Sequence, residues 1–385
     1  MVKSLTPYLD ELRLKHLFRR RRLLESAQGV ELQIDGRAML AFCSNDYLGL
    51  ANHPLLKEAM IKGVQQYGVG AGASHLLSGH GASHHALEEE LAEFVGADRA
   101  LLFSTGYMAN QAIVTSLTDR HSLIAEDRLN HASLIDAARL SRAAVKRYAH
   151  ADTAKGAELL SGADDALLTT DAVFSMDGDL APLPELVAIT RDRNAWLLAD
   201  DAHGIGVLGQ GGRGSFSHYG LSLEPHTIYM GTLGKAMGTA GAFVAGSIEL
   251  IETLIQRART YIYTTAMPPA VAEATRAALR LLNESDELPQ RLSANIGRFR
   301  AGAQGLGLLL MQSSTAIQPI VFGSSERALA ASQALEAEGI LVPAIRPPTV
   351  QEGTARLRIT LSAAHSDTHI DRLLQVLSTL KDLPV

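Results

Sequence analysis

The sequence predicts an α/β fold: a mainly parallel central sheet covered by helices, followed by a smaller C-terminal α+β domain. Three observations carry this. Between about residues 100 and 246, short runs such as "RALLFS", "SLIAED", "DALLTTDAVFS" and "AWLLAD" alternate with helix-patterned stretches, the order of a parallel sheet with helical crossovers. Those runs have short continuous apolar centres rather than alternation, as strands buried on both faces do. After "TTAMPPA" a helical pattern dominates, and the tail then offers a few separate strands in "AIQPIVFG", "GILVPAIRPPTV" and "ARLRITLSAAH".

Taken in order, residues 5–25 place Leu5, Leu9, Leu12 and Leu17 at helical spacing and predict a leading amphipathic helix. "VELQIDGRAMLAF" alternates around Asp35-Gly36 and predicts a hairpin. "HPLLKEAMIKGVQQYG" and "GASHHALEEELAEFVG" read as helices, with the glycine-rich, aperiodic "GVGAGASHLLSG" as a loop between them. Helices are then expected in "TGYMANQAIVTSL", in "HASLIDAARLS", shortly after "AVKRYAH", and in "LPELVAITRDR". "DALLTTDAVFS" reads as one strand, and "TIYMGTL" and "GAFVAG" complete the sheet. The expected organisation is an N-terminal helix and hairpin over 1–45, a large domain over 46–268, and an α+β domain over 269–385. No internal repeat or low-complexity linker is visible.

Among 385 residues, 46% are hydrophobic and 20% charged, values ordinary for a soluble globular protein. A net charge of −6 gives no support for nucleic-acid binding. The single cysteine, Cys43, excludes an internal disulfide and a cysteine-based zinc site and suits a reducing cytoplasm. No apolar run approaches the roughly 20 residues that span a bilayer, and the charged N-terminus has no signal-peptide core. A cytoplasmic protein without membrane contact is the expectation. The four arginines at 19–22 form the one dense basic run, either a solvated helix face or a site for an anionic substrate.

"LLADDAHGIGVLG" (197–209) contains Gly204, Gly206 and Gly209 in G-x-G-x-x-G spacing. A dinucleotide fingerprint opens a helix and wants an acid about 20 residues on. Here "QGGRGSFSHYG" follows, with no helical period for some ten residues, and the next acid, Glu224, sits in "LSLEPH". The nicotinamide reading therefore fails, and interest moves to Asp200 and His203. Functional groups of parallel sheets gather at strand carboxyl ends. Such ends hold Thr105-Gly106-Tyr107 at a helix start, Asn130 and His131, Ser175, Asp200 with His203, and Thr232 with Lys235. These types together meet the needs of pyridoxal 5′-phosphate: a Schiff-base lysine, a carboxylate for the pyridine nitrogen, an anion site, and a flat group for the ring. Singly, each has a plainer reading: Asp200 or Asp201 as a turn cap, His131 as a packed histidine, Lys235 as a surface lysine. Lys235, however, is boxed by Gly231, Gly234 and Gly238.

"SNDYLGL" (44–50), "STGYMAN" (104–110), "DRLNHASLIDA" (127–137), "VFSMDGDLAPL" (173–183), "LLADDAHGIGVLG" and "TLGKAMG" (232–238) resemble the α-oxoamine synthases. These are fold type I pyridoxal-phosphate enzymes that join an amino acid to an acyl-CoA with loss of carbon dioxide. Within them, "RPPTVQEGTARLRITLSAAH" (346–365) and "LEEELAEFVGADRALLFSTGYMAN" resemble the branch serving biotin biosynthesis, which takes L-alanine and a pimeloyl thioester on CoA or a carrier protein. The resemblance implies that Lys235 binds the cofactor and then takes the α-proton, that Asp200 pairs with the pyridine nitrogen, and that His203 and Ser175 meet the ring hydroxyl. It implies that His131 stacks on the ring, and that Gly106, Tyr107 and Thr232 bind the phosphate. Asn45, Thr349 and Arg358 would position the substrate, Arg358 as a bidentate carboxylate clamp. Arg19, or Arg20 or Arg21 in the same run, would meet the acyl-CoA. Thr264 or Thr265 would reach a phosphate across a homodimer interface, since the family shares its sites between two subunits. The glycine-rich loop departs from the family in carrying His75 where relatives often have arginine.

The alternatives are a glycine C-acetyltransferase of the same family, an aminotransferase or lyase on the same fold, and a non-enzymatic binding protein on this scaffold. No metal is expected: His80, His84 and His85 lack the H-E-x-x-H pattern and read as loop and helix-start residues. No G-x-S-x-G is present, which argues against a serine hydrolase.

Overall fold

The structure, a computed structural model, describes residues 4–14 and 17–380. Helix α1 (Thr6–Leu14) is shorter than the helix expected over 5–25: residues 15–16 lie outside the described residues, and 17–23 are irregular. Arg22 instead pairs with Glu336, through Nη1 and Nη2 at 2.7 Å each. The hairpin forms as expected, with β1 (Glu31–Ile34) antiparallel to β2 (Arg37–Ala41) and Ile34 opposite Arg37 across Asp35-Gly36. Helices α2 (Pro54–Tyr67) and α3 (Ala82–Val95) follow. The stretch between them, expected as a loop, contains one π-helical turn at His75–Gly79, closed by the Gly79 N–H on the Ser74 carbonyl at 3.0 Å.

The central region runs β3 (Arg99–Phe103), α4 (Gly106–Leu117), β4 (Leu123–Asp127), α5 (Ala132–Ser141), β5 (Ala144–Tyr148), α6 (Thr153–Leu160), β6 (Ala166–Asp171), α7 (Leu183–Asp192), β7 (Trp196–Asp200), α8 (Ser215–His218), β8 (Thr227–Thr232) and β9 (Ala242–Gly246). Its seven strands lie in the order β3-β9-β8-β7-β6-β4-β5, with β9 alone antiparallel to its neighbours. Strands β4, β6, β8 and β9 are buried along their whole length, which is why their sequences are apolar without alternation. The edge strand β5 exposes Lys146 and Arg147, charges that discourage further strand pairing.

Two local expectations are corrected. Strand β6 stops at Asp171 instead of running on to Phe174; the Ala172 N–H turns to the Asp200 carbonyl at 2.8 Å. The segment after Gly209, expected to be free of helix, holds a 3₁₀ turn (Gln210–Gly212) and the single turn α8. Neither is long enough to leave a periodic trace in sequence.

The chain continues through α9 (Ile248–Arg257), α10 (Arg259–Ile262), α11 (Pro269–Glu284), α12 (Glu287–Gly305), β10 (Ile317–Gly323), α13 (Ser325–Ala337), β11 (Ile340–Leu341), β12 (Ala344–Ile345), β13 (Ala355–Thr360) and α14 (Asp367–Thr379). Helix α11 packs on α2 and α3. Strands β10, β13 and β12 form an antiparallel sheet, whereas β11 pairs in parallel with β2 and ties the first hairpin to the C-terminal region. The chain at and just beyond β13 also holds residues 42–47: Thr360 N–H donates to the Phe42 carbonyl and Ala363 N–H to the Tyr47 carbonyl, both at 2.8 Å.

The loop carrying Lys235 is pressed against that same N-terminal segment. Gly238 has φ +69°, and a Cβ there would lie 2.5 Å from the Leu50 carbonyl carbon and 2.6 Å from Ala51 N, backbone atoms that cannot step aside. Gly238→Ala is expected to cost roughly 2–4 kcal/mol, read as a lowered Tm by scanning fluorimetry. An unchanged Tm would contradict this close approach.

Candidate active site

The carboxyl ends of β6, β7 and β8 and the N-termini of α4 and α5 enclose a cavity of about 200 Å³. Gly106, Tyr107, His131, Ser175, Asp200, His203, Thr232 and Lys235, all singled out from sequence, line it. A parallel sheet delivers its strand ends to one edge, so residues scattered over 130 positions of sequence meet there.

Asp200 ends β7 and is 5% exposed. Its carboxylate accepts from Asn110 Nδ2 at 2.8 Å and from Ala202 N–H at 3.0 Å. The neighbouring Asp201 faces elsewhere: it accepts from the Ser215 backbone N–H, the Ser215 hydroxyl and the Tyr229 hydroxyl, and burial pushes its carboxyl up to about 6. This settles which acid faces the cavity. It also explains Gly204, where a Cβ would fall 1.9 Å from Asp201 Oδ1. The glycines of that stretch serve close packing, Gly204 on Asp201, Gly206 on Ala236 and Gly209 on Ser217.

Lys235 Nζ lies 2.8 Å from His203 Nε2. Burial lowers the Lys235 amine to about 8, against the partly opposing pull of Asp200 and Asp171. Near pH 7 roughly a tenth of this amine is therefore uncharged and has a lone pair to react, with the ammonium still the main form. Burial, reinforced by Lys235, holds His203 well below the usual imidazole range. Burial likewise lowers His131, which caps α5 and keeps its Nδ1 at 2.7 Å from Ser133 Oγ. Gly106 and Tyr107 open α4 behind the Thr105 cap, where first-turn N–H groups have no partner within the helix and suit an anion.

Arg358, on β13, is 6% exposed. Its partners are the Ser175 carbonyl at 2.6 Å, Thr360 Oγ1 at 2.9 Å and Asn45 Oδ1 at 3.4 Å, none of them a carboxylate. A buried guanidinium held by neutral oxygens is poised for an anionic ligand. Other residues singled out from sequence lie apart. Arg19 and Thr349 are exposed and do not line the cavity. Thr264 and Thr265 are also outside it, with Thr265 exposed and bridged to Ser74.

Sequence reasoning missed Asp171, Asn110 and Ser133. Asp171 faces Asp200 in register across β6 and β7, and the His131 N–H donates to both its oxygens at 3.1–3.2 Å. Burial, then Asp200, pushes its carboxyl well above the usual range. Its position at a strand end was a usable signal, obscured by reading the strand through to Phe174. Asn110 is one helical turn beyond Gly106 and fully buried, bonded to Ser133 and Asp200, with its Oδ1 unpartnered.

The histidines at 75–85 form a separate group: His75 and His80 share a 2.9 Å contact, and His84 reaches the Met267 carbonyl at 2.8 Å. His80, His85 and Glu88 bring ligating atoms within 4.8 Å of one another, with His80 Nε2 3.9 Å from Glu88 Oε2.

The turn carrying Ser175 is fixed by His150, whose Nδ1 lies 3.2 Å from Asp127 and Nε2 2.6 Å from Asp179. Burial pulls this imidazole down, yet the two carboxylates prevail and raise it to about 10. Its contribution to stability is complete below about 6.5 and is lost as pH rises toward 10. The stability gap between wild type and His150→Gln, measured by chemical denaturation, is expected to shrink across that window. A gap independent of pH would remove the charged bridge.

The chain matches the family described as aminotransferase class I and II over residues 37–377. It is 59% identical over 372 residues to the 8-amino-7-oxononanoate synthase of Methylococcus capsulatus, covering 96% of each chain. It is 57% identical to that of Pseudomonas aeruginosa, covering 98% of this chain and 94% of the relative. Among solved structures, the serine palmitoyltransferase of Sphingomonas wittichii matches with a TM-score of 0.92 at 29% identity, over 98% of this chain and 96% of the other. The 8-amino-7-oxononanoate synthase of Francisella tularensis matches with a TM-score of 0.78 at 32% identity, over 89% and 97%.

Proposed function

The chain belongs to the aminotransferase class I and II family and, within it, to the α-oxoamine synthases, and from this we infer that it uses pyridoxal 5′-phosphate to condense L-alanine with a pimeloyl thioester. The products are 8-amino-7-oxononanoate, carbon dioxide and the free thiol carrier, a step of biotin biosynthesis. One observation carries the reading: a buried lysine amine lowered to about 8 shares a cavity with a carboxylate and a helix N-terminus, next to an arginine with no acidic partner.

The donor set fits the cofactor. Lys235 would hold its aldehyde carbon, Asp200 its pyridine nitrogen, His131 its ring face, His203 and Ser175 its ring hydroxyl. The N–H groups opening α4, with Thr232, would hold its phosphate. When bound, the cofactor supplies an electron sink for negative charge at the substrate α-carbon.

The remaining work falls to side chains. Asn110 and the Ala202 N–H hold the Asp200 carboxylate in place. Arg358, with Asn45, binds the carboxylate of alanine and so fixes which α-substituent stands across the ring plane, a positional contribution. Lys235 Nζ, once displaced, takes the α-proton. An arginine of the 19–22 run would meet the acyl carrier, and Thr349 would contact the substrate. Thr264 or Thr265, outside this chain's own cavity, would complete the phosphate site of a partner subunit in a homodimer. No described helix is long and apolar enough to cross a membrane, which agrees with small-molecule substrates; a cytoplasmic setting belongs to the same reading.

Wild-type protein supplied with pyridoxal phosphate should gain a visible absorption band, and alanine with pimeloyl-CoA should release CoA. Lys235→Ala should lose both the band and turnover, by at least about 10³-fold. Full activity in that variant would end the assignment. Release of CoA from glycine and acetyl-CoA, with none from alanine and pimeloyl-CoA, would favour the acetyltransferase instead.

A further inference from the structure

Behind Lys235 runs a line of polar contacts in which the proposed chemistry leaves one residue, Tyr47, unused. Lys235 Nζ is 2.8 Å from His203 Nε2, and His203 Nδ1 is 2.6 Å from the Tyr47 hydroxyl. The Tyr47 hydroxyl is 3.2 Å from Asn45 Oδ1, which also accepts from Arg358 at 3.4 Å. Tyr47 is fully buried. It is held from two sides: by the Ala363 N–H on its carbonyl and by the press of Gly238 on Leu50 and Ala51.

The donors and acceptors of this line match in one direction only. A lysine ammonium has hydrogens to give and nothing to accept with. Facing it, His203 Nε2 must be bare, and a neutral imidazole then carries its hydrogen on Nδ1. That hydrogen has a single partner, the Tyr47 oxygen. The Tyr47 hydrogen in turn goes to Asn45 Oδ1, an oxygen that can only accept. Every buried polar atom along the path is satisfied.

We propose that Tyr47 is a positioning residue: by accepting the Nδ1 hydrogen of His203 it fixes the ring and its tautomer, so that Nε2 stands as a bare acceptor against Lys235. Removing the hydroxyl strands a buried N–H, and an unpaired buried donor is costly enough to drive the ring to another tautomer or rotation. Lys235 then loses the acceptor that favours its charged form. The other charged or titratable groups around the pair are Asp200, Asp171, Arg358 and His131, and none of these reaches His203 Nδ1 through a hydrogen bond. The proposal rests on Lys235 being the reacting amine, as inferred above.

The test uses the cofactor-free protein. Nitrogen-15 NMR of wild type at pH 7 should find His203 neutral, with its hydrogen on Nδ1. In Tyr47→Phe, which keeps the ring volume, that signature should give way to the other tautomer or to exchange between the two. The pH midpoint for acetylation of Lys235, read by mass spectrometry, should fall by about one unit. Loaded with pyridoxal phosphate, the variant should show roughly tenfold lower kcat with KM for the thioester unchanged. A hydrogen on Nε2 in the wild type overturns the proposal whether or not the variant folds. So does a folded variant whose His203 signals and Lys235 midpoint match wild type. Failure of wild type to bind pyridoxal phosphate would instead sink the functional reading and leave the His203 result standing.

Discussion

An ammonium taken out of water is the constraint around which this molecule is arranged. Removing Lys235 from solvent disfavours its charge, and the structure offsets that only in part, with Asp200 and Asp171 nearby and His203 in contact. The balance leaves the amine near 8, between an inert ammonium and an unpaired base. Everything that sets the balance is contributed by distant chain: Asp171 and Asp200 by two adjacent strand ends, His203 by the following loop, and its orientation by a segment near residue 47.

The parallel sheet makes such convergence cheap in conformational terms. Six strands point the same way, so their carboxyl ends and the helix N-termini that follow share one edge. Acids at two of those ends sit in register, and one carboxyl is pushed well above its usual range by the other and by burial. One side of the cavity is the start of α4, where unpaired backbone N–H groups suit an anion whatever the side chains there.

The second unit completes the site from outside the sheet. Strand β13 brings Arg358 to the Ser175 carbonyl and, through Thr360 and the nearby Ala363, fastens residues 42–47 beside it. His150 holds the intervening turn by bridging Asp127 and Asp179. Arg358 and Lys235 are thus tied to the same N-terminal segment, by backbone hydrogen bonds on one side and the close approach of Gly238 on the other.

Alternation of apolar runs with helical periods was enough to read the central sheet, the hairpin at Asp35-Gly36 and the long helices, because those signals are local and repeat within ten residues. Strand-end position likewise exposed Lys235, Asp200, His203 and His131, since a parallel sheet turns sequence order into spatial proximity. Sequence singled out Asp200 but supplied no packing reason against Asp201: both are polar at a strand end, and contacts with Ser215 and Tyr229 are what turn Asp201 inward. Nor could it find Asn110 or Tyr47, or see that the helix before the arginines ends early; Asp171 was hidden only by reading its strand too far. A buried hydrogen bond between residues 156 positions apart leaves no periodicity behind; it exists only once two separate segments are brought within 3 Å of each other.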